Sequence, residues 1–115
     1  MDFILYHNPR CSKSREALAL LTARGLTPTI VEYLRTPLDH AALRALLGKL
    51  AVPVRALLRE KEAAYAALGL DAVDDEARLL DALVAHPELL ERPILVRGER
   101  AVIARPPNRV EELLP

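Results

Sequence analysis

The chain has 115 residues, a length that buries about two thirds of its surface around one ordinary core without disulfide or metal staples. Hydrophobic residues make up 51% and charged residues 28%, which excludes a disordered chain, and 16 basic against 16 acidic residues leave no electrostatic footprint for nucleic acid or an anionic membrane. No apolar run approaches the roughly 18 residues of a membrane span; the start Met1-Asp2-Phe3-Ile4-Leu5 lacks the flanks of a signal peptide, and one cysteine with three scattered histidines offers no internal disulfide and no structural zinc site, so a cytoplasmic protein is expected.

Phe3-Ile4-Leu5-Tyr6 is a short apolar run ended by His7-Asn8-Pro9 and reads as a buried strand. Ser12 to Arg24 reads as a helix with Ala17, Leu18 and Leu21 on one face and Gly25 as its stop. Thr29-Ile30-Val31-Glu32-Tyr33 is rich in β-branched residues and predicts a second strand. Strand, helix, strand predicts a parallel pair joined by a crossover. Thr36-Pro37 predicts the start of a helix, with Leu43, Leu46, Leu47 and Leu50 at i, i+3, i+4, i+7. Pro53 opens another helical stretch through Leu58, continued or followed by one that ends at Leu68-Gly69. Asp74-Asp75 starts a third, with Leu79, Leu80 and Leu83 inward and a stop before His86-Pro87. Ile94-Leu95-Val96 and Ala101-Val102-Ile103-Ala104, joined by Arg97-Gly98-Glu99, predict a hairpin. Asn108 and Glu111 have capping-box spacing for a short last helix. The expected fold class is α/β: one domain over residues 1–115, with a four-stranded mixed sheet, helices on both faces, and a helical insertion at about 37–86.

Cys11 falls at the start of the first helix. Free backbone N–H groups and the helix dipole stabilise an anion there, either a thiolate or a bound oxyanion. Arg10, Lys13 and Arg15 add positive charge, and the hydroxyls of Ser12 and Ser14 are candidate donors to a thiolate. Each effect lowers a thiol pKa and makes sulfur nucleophilic at neutral pH. A lone cysteine is otherwise a small buried hydrophobe, but a polar, basic helix start is a poor place for one. Cys11-Ser12-Lys13-Ser14 holds one thiol, so any redox turnover needs an outside thiol. Six positions on, where a phosphatase-like loop requires arginine, stands Ala17.

His7-Asn8-Pro9-Arg10-Cys11-Ser12-Lys13-Ser14-Arg15 resembles the active-site motif of the glutaredoxin-linked arsenate reductases, the ArsC family. The resemblance continues through Val54-Arg55-Ala56-Leu57-Leu58-Arg59, Tyr65 to Leu70, His86-Pro87, Arg92-Pro93-Ile94 and Arg105-Pro106 to Leu113-Leu114-Pro115. It implies a thioredoxin/glutaredoxin-like core carrying the helical insertion. It implies that Cys11 is the nucleophile toward arsenate, and that Arg59, Arg92 and Arg105 hold the oxyanion. Pro93 matches a cis-proline position, and His7 and Ser14 match positions that tune the thiol. Glutathione as co-substrate and glutaredoxin as reductant follow from the same resemblance. No bound cofactor, no metal, no nucleic acid and no membrane are implied, and a monomer is expected.

Guanidinium groups suit arsenate, because they grip tetrahedral oxygens by paired charge-assisted hydrogen bonds. Arg92 enters the third strand and Arg105 leaves the fourth, so a hairpin sets them side by side. If the first strand runs parallel to the third, as is usual, that pair lies at the end away from Cys11. Long side chains or another strand order must then bridge the gap. Two rival readings are a thiol-disulfide oxidoreductase without arsenate preference and an Spx-like redox regulator of RNA polymerase. Arg59, Arg105 and the single-thiol motif argue against the second.

Overall fold

A computed structural model describes residues 2–115. The chain forms two compact units, one of which runs through Thr36 and resumes at Arg92–Pro115, while the other is Pro37–Glu91.

The first unit holds the sheet. Its strands are β1 (Phe3–Tyr6), β2 (Thr29–Val31), β3 (Ile94–Arg97) and β4 (Arg100–Ile103), in the order β2-β1-β3-β4. β1 and β2 are parallel, with Tyr6 opposite Val31. β3 and β4 form the expected hairpin. Its two turn residues are Gly98 and Glu99, with Gly98 at φ +60° as a primed turn requires. β2 is shorter than its β-branched run suggests, because the Glu32 carbonyl accepts the Arg35 and Thr36 N–H groups and turns the chain.

The direction of β1 against β3 corrects the parallel expectation. The two strands are antiparallel, with Tyr6 opposite Ile94. The start of β3 therefore lies beside the end of β1, at the Cys11 end of the sheet, and no long bridge is needed.

α1 (Ser12–Ala23) and a 3₁₀ helix at Pro107–Leu113 pack on one another and on one sheet face. Strand alternation sends Phe3, Leu5, Leu95 and Val102 to that face, where they meet Ala17, Leu21, Val110 and Leu113. These side chains are at most 4% exposed. The last helix departs from the capping-box reading. Asn108 lies inside it, Pro106 precedes it without a side-chain cap, and Pro107 opens it.

The second unit is helical, with α2 (His40–Leu50), α3 (Ala63–Ala67) and α4 (Glu76–Ala85). α2 begins later than Thr36-Pro37 suggests, because the Asp39 carboxylate accepts the Ala42 N–H and supplies the cap. Asp75 caps α4 in the same way, as read from the sequence. Leu43 and Leu46 of α2 and Leu79, Leu80 and Leu83 of α4 are buried. Arg55 ties this unit together by donating to the Tyr65 hydroxyl at 2.8 Å and to the carbonyls of Leu70 and Val73. Among the described residues, no helix is long and apolar enough to cross a membrane.

Candidate active site

The loop from β1 to α1 is held by hydrogen bonds that its own residue types supply. Asn8 organises it. Its side-chain oxygen accepts the Arg10 N–H at 3.0 Å, and its carbonyl accepts the Cys11 N–H at 3.0 Å. Its own N–H donates to the Ser14 hydroxyl at 3.1 Å. Sequence reading passed Asn8 over, although an Asn-Pro pair is a turn signal in which the side chain imitates a backbone acceptor. The Arg15 guanidinium donates to the Pro9 carbonyl at 2.9 Å and ties the loop to the first turn of α1.

Ser14 is fully buried and His7 is 5% exposed. The Ser14 hydroxyl and His7 Nδ1 are hydrogen bonded at 2.7 Å. The hydroxyl is thus engaged with His7 and Asn8. The effect of Ser14 on the thiol comes instead through its backbone N–H, which revises the expectation of a hydroxyl donor. Burial pushes the His7 imidazole below its ordinary pKa; Glu32 pulls it up and Arg15 pushes it down. His7 is therefore neutral at neutral pH.

Cys11 occupies the N-cap of α1 with extended backbone, and its neutral thiol makes no cap hydrogen bond. Desolvation pushes the thiol pKa up. The backbone N–H groups of Ser14 and Lys13 oppose it, as do the hydrogen bond and charge of Arg92, and together they hold the thiol below its ordinary value. The half-buried sulfur thus ionises more readily than an ordinary thiol and has a guanidinium beside it.

Antiparallel pairing of β1 and β3 produces this contact. Arg92 precedes Pro93 and Ile94, and Ile94 sits opposite Tyr6. The peptide bonds Arg92–Pro93 and Arg105–Pro106 are both cis; the first had been matched from the resemblance, the second had not. Ala104 donates its N–H to the Pro93 carbonyl at 2.8 Å, and the Arg105 guanidinium donates to the Arg92 carbonyl at 3.3 Å. Arg92 Nε is buried and has no hydrogen-bond partner among the described residues. Cys11, Arg92 and Arg105 are therefore brought to one end of one sheet, with His7 and Ser14 behind the loop.

Arg59 lies in the helical unit. Its guanidinium pairs with Glu62 at 2.9 Å and with Glu91 at 3.7 Å. Its backbone N–H donates to the Leu89 carbonyl at 2.8 Å, which fixes the strap Leu58–Arg59 against Leu89–Leu90. The two carboxylates were not anticipated, although Glu62 stands at an i, i+3 spacing from Arg59.

The profile of the ArsC family matches residues 6–113. An uncharacterised protein of Escherichia coli (strain K12), YfgD, is 49% identical, covering 96% of this chain and 94% of its own. An arsenate reductase of Haemophilus influenzae is 44% identical, covering 99% of this chain and 100% of its own. A solved arsenate reductase from Vibrio cholerae superposes with a TM-score of 0.96 at 42% identity, covering 99% of this chain and 98% of the other.

Proposed function

The chain belongs to the ArsC family, and we propose that it is an arsenate reductase working through a Cys11–arsenate adduct. The fold is the thioredoxin-like one of its structural neighbours. The observation that carries the reading is the Cys11 thiol, held below its ordinary pKa by the start of α1 and by Arg92, with Arg105 anchored on the Arg92 carbonyl.

In this reading Arg92 and Arg105 receive the arsenate oxygens; the buried Arg92 Nε has no hydrogen-bond partner among the described residues. Arg59 is the third arginine by resemblance, and Glu62 and Glu91 hold its guanidinium. The Cys11 thiolate attacks arsenic, an S–As bond forms, and one arsenate oxygen leaves as water. The arginines offset charge on arsenic as the bond forms. Glutathione then adds to arsenic with loss of a second water. A glutaredoxin thiolate takes the glutathionyl sulfur as a mixed disulfide, the two electrons pass to arsenic, and water frees arsenite from Cys11. The second thiol must come from outside, because Cys11 is the only cysteine. His7 and Ser14 act as positioning residues for the loop. The protein needs no bound metal or organic cofactor, and it acts in the cytoplasm as a monomer.

The test is arsenate-dependent NADPH oxidation by the purified protein, coupled through glutathione reductase, glutathione and glutaredoxin. Activity should require both thiol partners and disappear in Cys11→Ser. Folded, reduced protein without activity would shift the reading to a thiol-disulfide oxidoreductase on the same fold.

A further inference from the structure

The loop 7–10 and the segment after β2 enclose a cleft of about 470 Å³. That lies within the roughly 300–1,000 Å³ typical of small-molecule sites. Glu32, Leu34 and Arg35 form its far wall. Sheet order places it on the opposite flank of β1 from Arg92 and Arg105, since β2 lies on one side of β1 and the β3–β4 hairpin on the other. An occupant of the cleft therefore does not compete for Arg92 and Arg105. Arg10 lines the cleft and directly precedes Cys11, so one wall of the cleft is the loop that leads into the thiol-bearing helix start.

The arginines of this unit divide cleanly. Arg15, Arg24, Arg97, Arg100, Arg105 and Arg109 each donate to a carbonyl or a carboxylate. Arg92 engages the thiol. Arg10 and Arg35 are left with no side-chain hydrogen bond or ion pair among the described residues, and both line the cleft. Glu32 supplies one carboxylate, whose charge is felt by His7. Leu34 adds an apolar wall, 43% exposed. Two cations, one anion and an apolar strip form the complement of a ligand with two carboxylates, one ammonium group and a methylene stem.

We propose that this cleft binds the external thiol, a small peptide thiol carrying two carboxylates and one ammonium group. Arg10 and Arg35 take the carboxylates, Glu32 takes the ammonium, and the thiol is delivered past Arg10 to Cys11. The inference rests on the reading that an outside thiol resolves the Cys11 intermediate.

Thiol–disulfide exchange without arsenate tests it, with glutathione disulfide as the charged probe and 2-hydroxyethyl disulfide as the neutral one. In each case the Cys11 thiolate attacks one disulfide sulfur. The old S–S bond breaks, a mixed disulfide forms on Cys11, and one thiolate leaves, with no net oxidation. The mass change on Cys11 gives both rate constants, and their ratio removes any change in thiolate reactivity. Arg35→Glu and Arg10→Glu should each lower the charged-to-neutral ratio about tenfold, the effect of losing one charge-assisted contact. Arg44→Glu, an exposed charge reversal in the helical unit, should leave the ratio as in the wild type. An unchanged ratio in Arg10→Glu and Arg35→Glu, or an equal fall in Arg44→Glu, overturns the proposal. Because arsenate is absent, a lowered ratio in the two cleft variants supports the cleft even in a protein that fails to reduce arsenate.

Discussion

Ser14→Ala is the most informative single change. The Ser14 hydroxyl is fully buried and serves two buried partners, His7 Nδ1 at 2.7 Å and the Asn8 N–H at 3.1 Å. Deleting it orphans both. A buried polar group left without a partner costs about 1–3 kcal/mol. Two of them, less about 0.5 kcal/mol for the better helix propensity of alanine, give a loss of roughly 1.5–5.5 kcal/mol. At about 4 °C per kcal/mol for a domain of this size, the melting temperature should fall by roughly 6–22 °C. Urea denaturation would show a lower midpoint at an unchanged slope. A double-mutant cycle sharpens the test. In a His7→Leu background one of the orphans is already gone, so Ser14→Ala should cost about 1–2 kcal/mol less than in the wild type. A Ser14→Ala loss below about 0.5 kcal/mol, or additivity in the cycle, would refute the idea that this hydroxyl anchors the loop; water would then be replacing it.

Other outcomes are expected together with this one. The pH profile of Cys11 alkylation by iodoacetamide should have its midpoint below that of an ordinary thiol, and Arg92→Gln should move it upward, because one hydrogen bond and one charge on the thiolate are lost. His7 is depressed by burial, so the folded state resists its protonation. The stability it contributes is complete above the unfolded value near 6.5 and is lost as pH falls through the folded pKa; thermal melts from pH 7.5 to 5 should show this decline, and His7→Gln should flatten it. Arg55→Met removes the donor to the Tyr65 hydroxyl and to the Leu70 and Val73 carbonyls, and should cost the helical unit about 2–3 kcal/mol by hydrogen exchange of its amides. On the proposed reading that Arg105 takes an arsenate oxygen, Arg105→Ala should raise KM for arsenate by tenfold or more while Cys11 alkylation keeps its wild-type pH midpoint, since the groups that lower the thiol pKa are Arg92 and the Ser14 and Lys13 N–H groups.

Much of the fold could be read locally. β1, α1, α4 and the β3–β4 hairpin stand close to where apolar period, caps and the Gly98 turn put them. Misplaced boundaries share one cause: a side chain or carbonyl made a better local bond than the expected one. Asp39 outcompeted Thr36 as the cap of α2, and the Glu32 carbonyl ended β2. At the site, the lowered pKa of Cys11 was legible because its causes are partly local. The N–H groups of Lys13 and Ser14 lie within three residues of Cys11 and face it whenever α1 forms.

Sequence by itself determined which chemistry this chain carries: one thiol at a helix start, no second thiol, and a surplus of arginine over lysine. Tertiary structure alone decided which arginines meet that thiol. Strand direction leaves no mark in a period-two pattern, because an apolar strand buries the same face whichever way its neighbour runs. Only the folded sheet, with Tyr6 opposite Ile94, sets the start of β3 beside the end of β1 and delivers Arg92 to Cys11. The same holds for the cleft beside Arg10. Arg10 and Arg35 look like any other arginines until the fold shows that their neighbours in the unit are tied down while these two have no side-chain partner among the described residues.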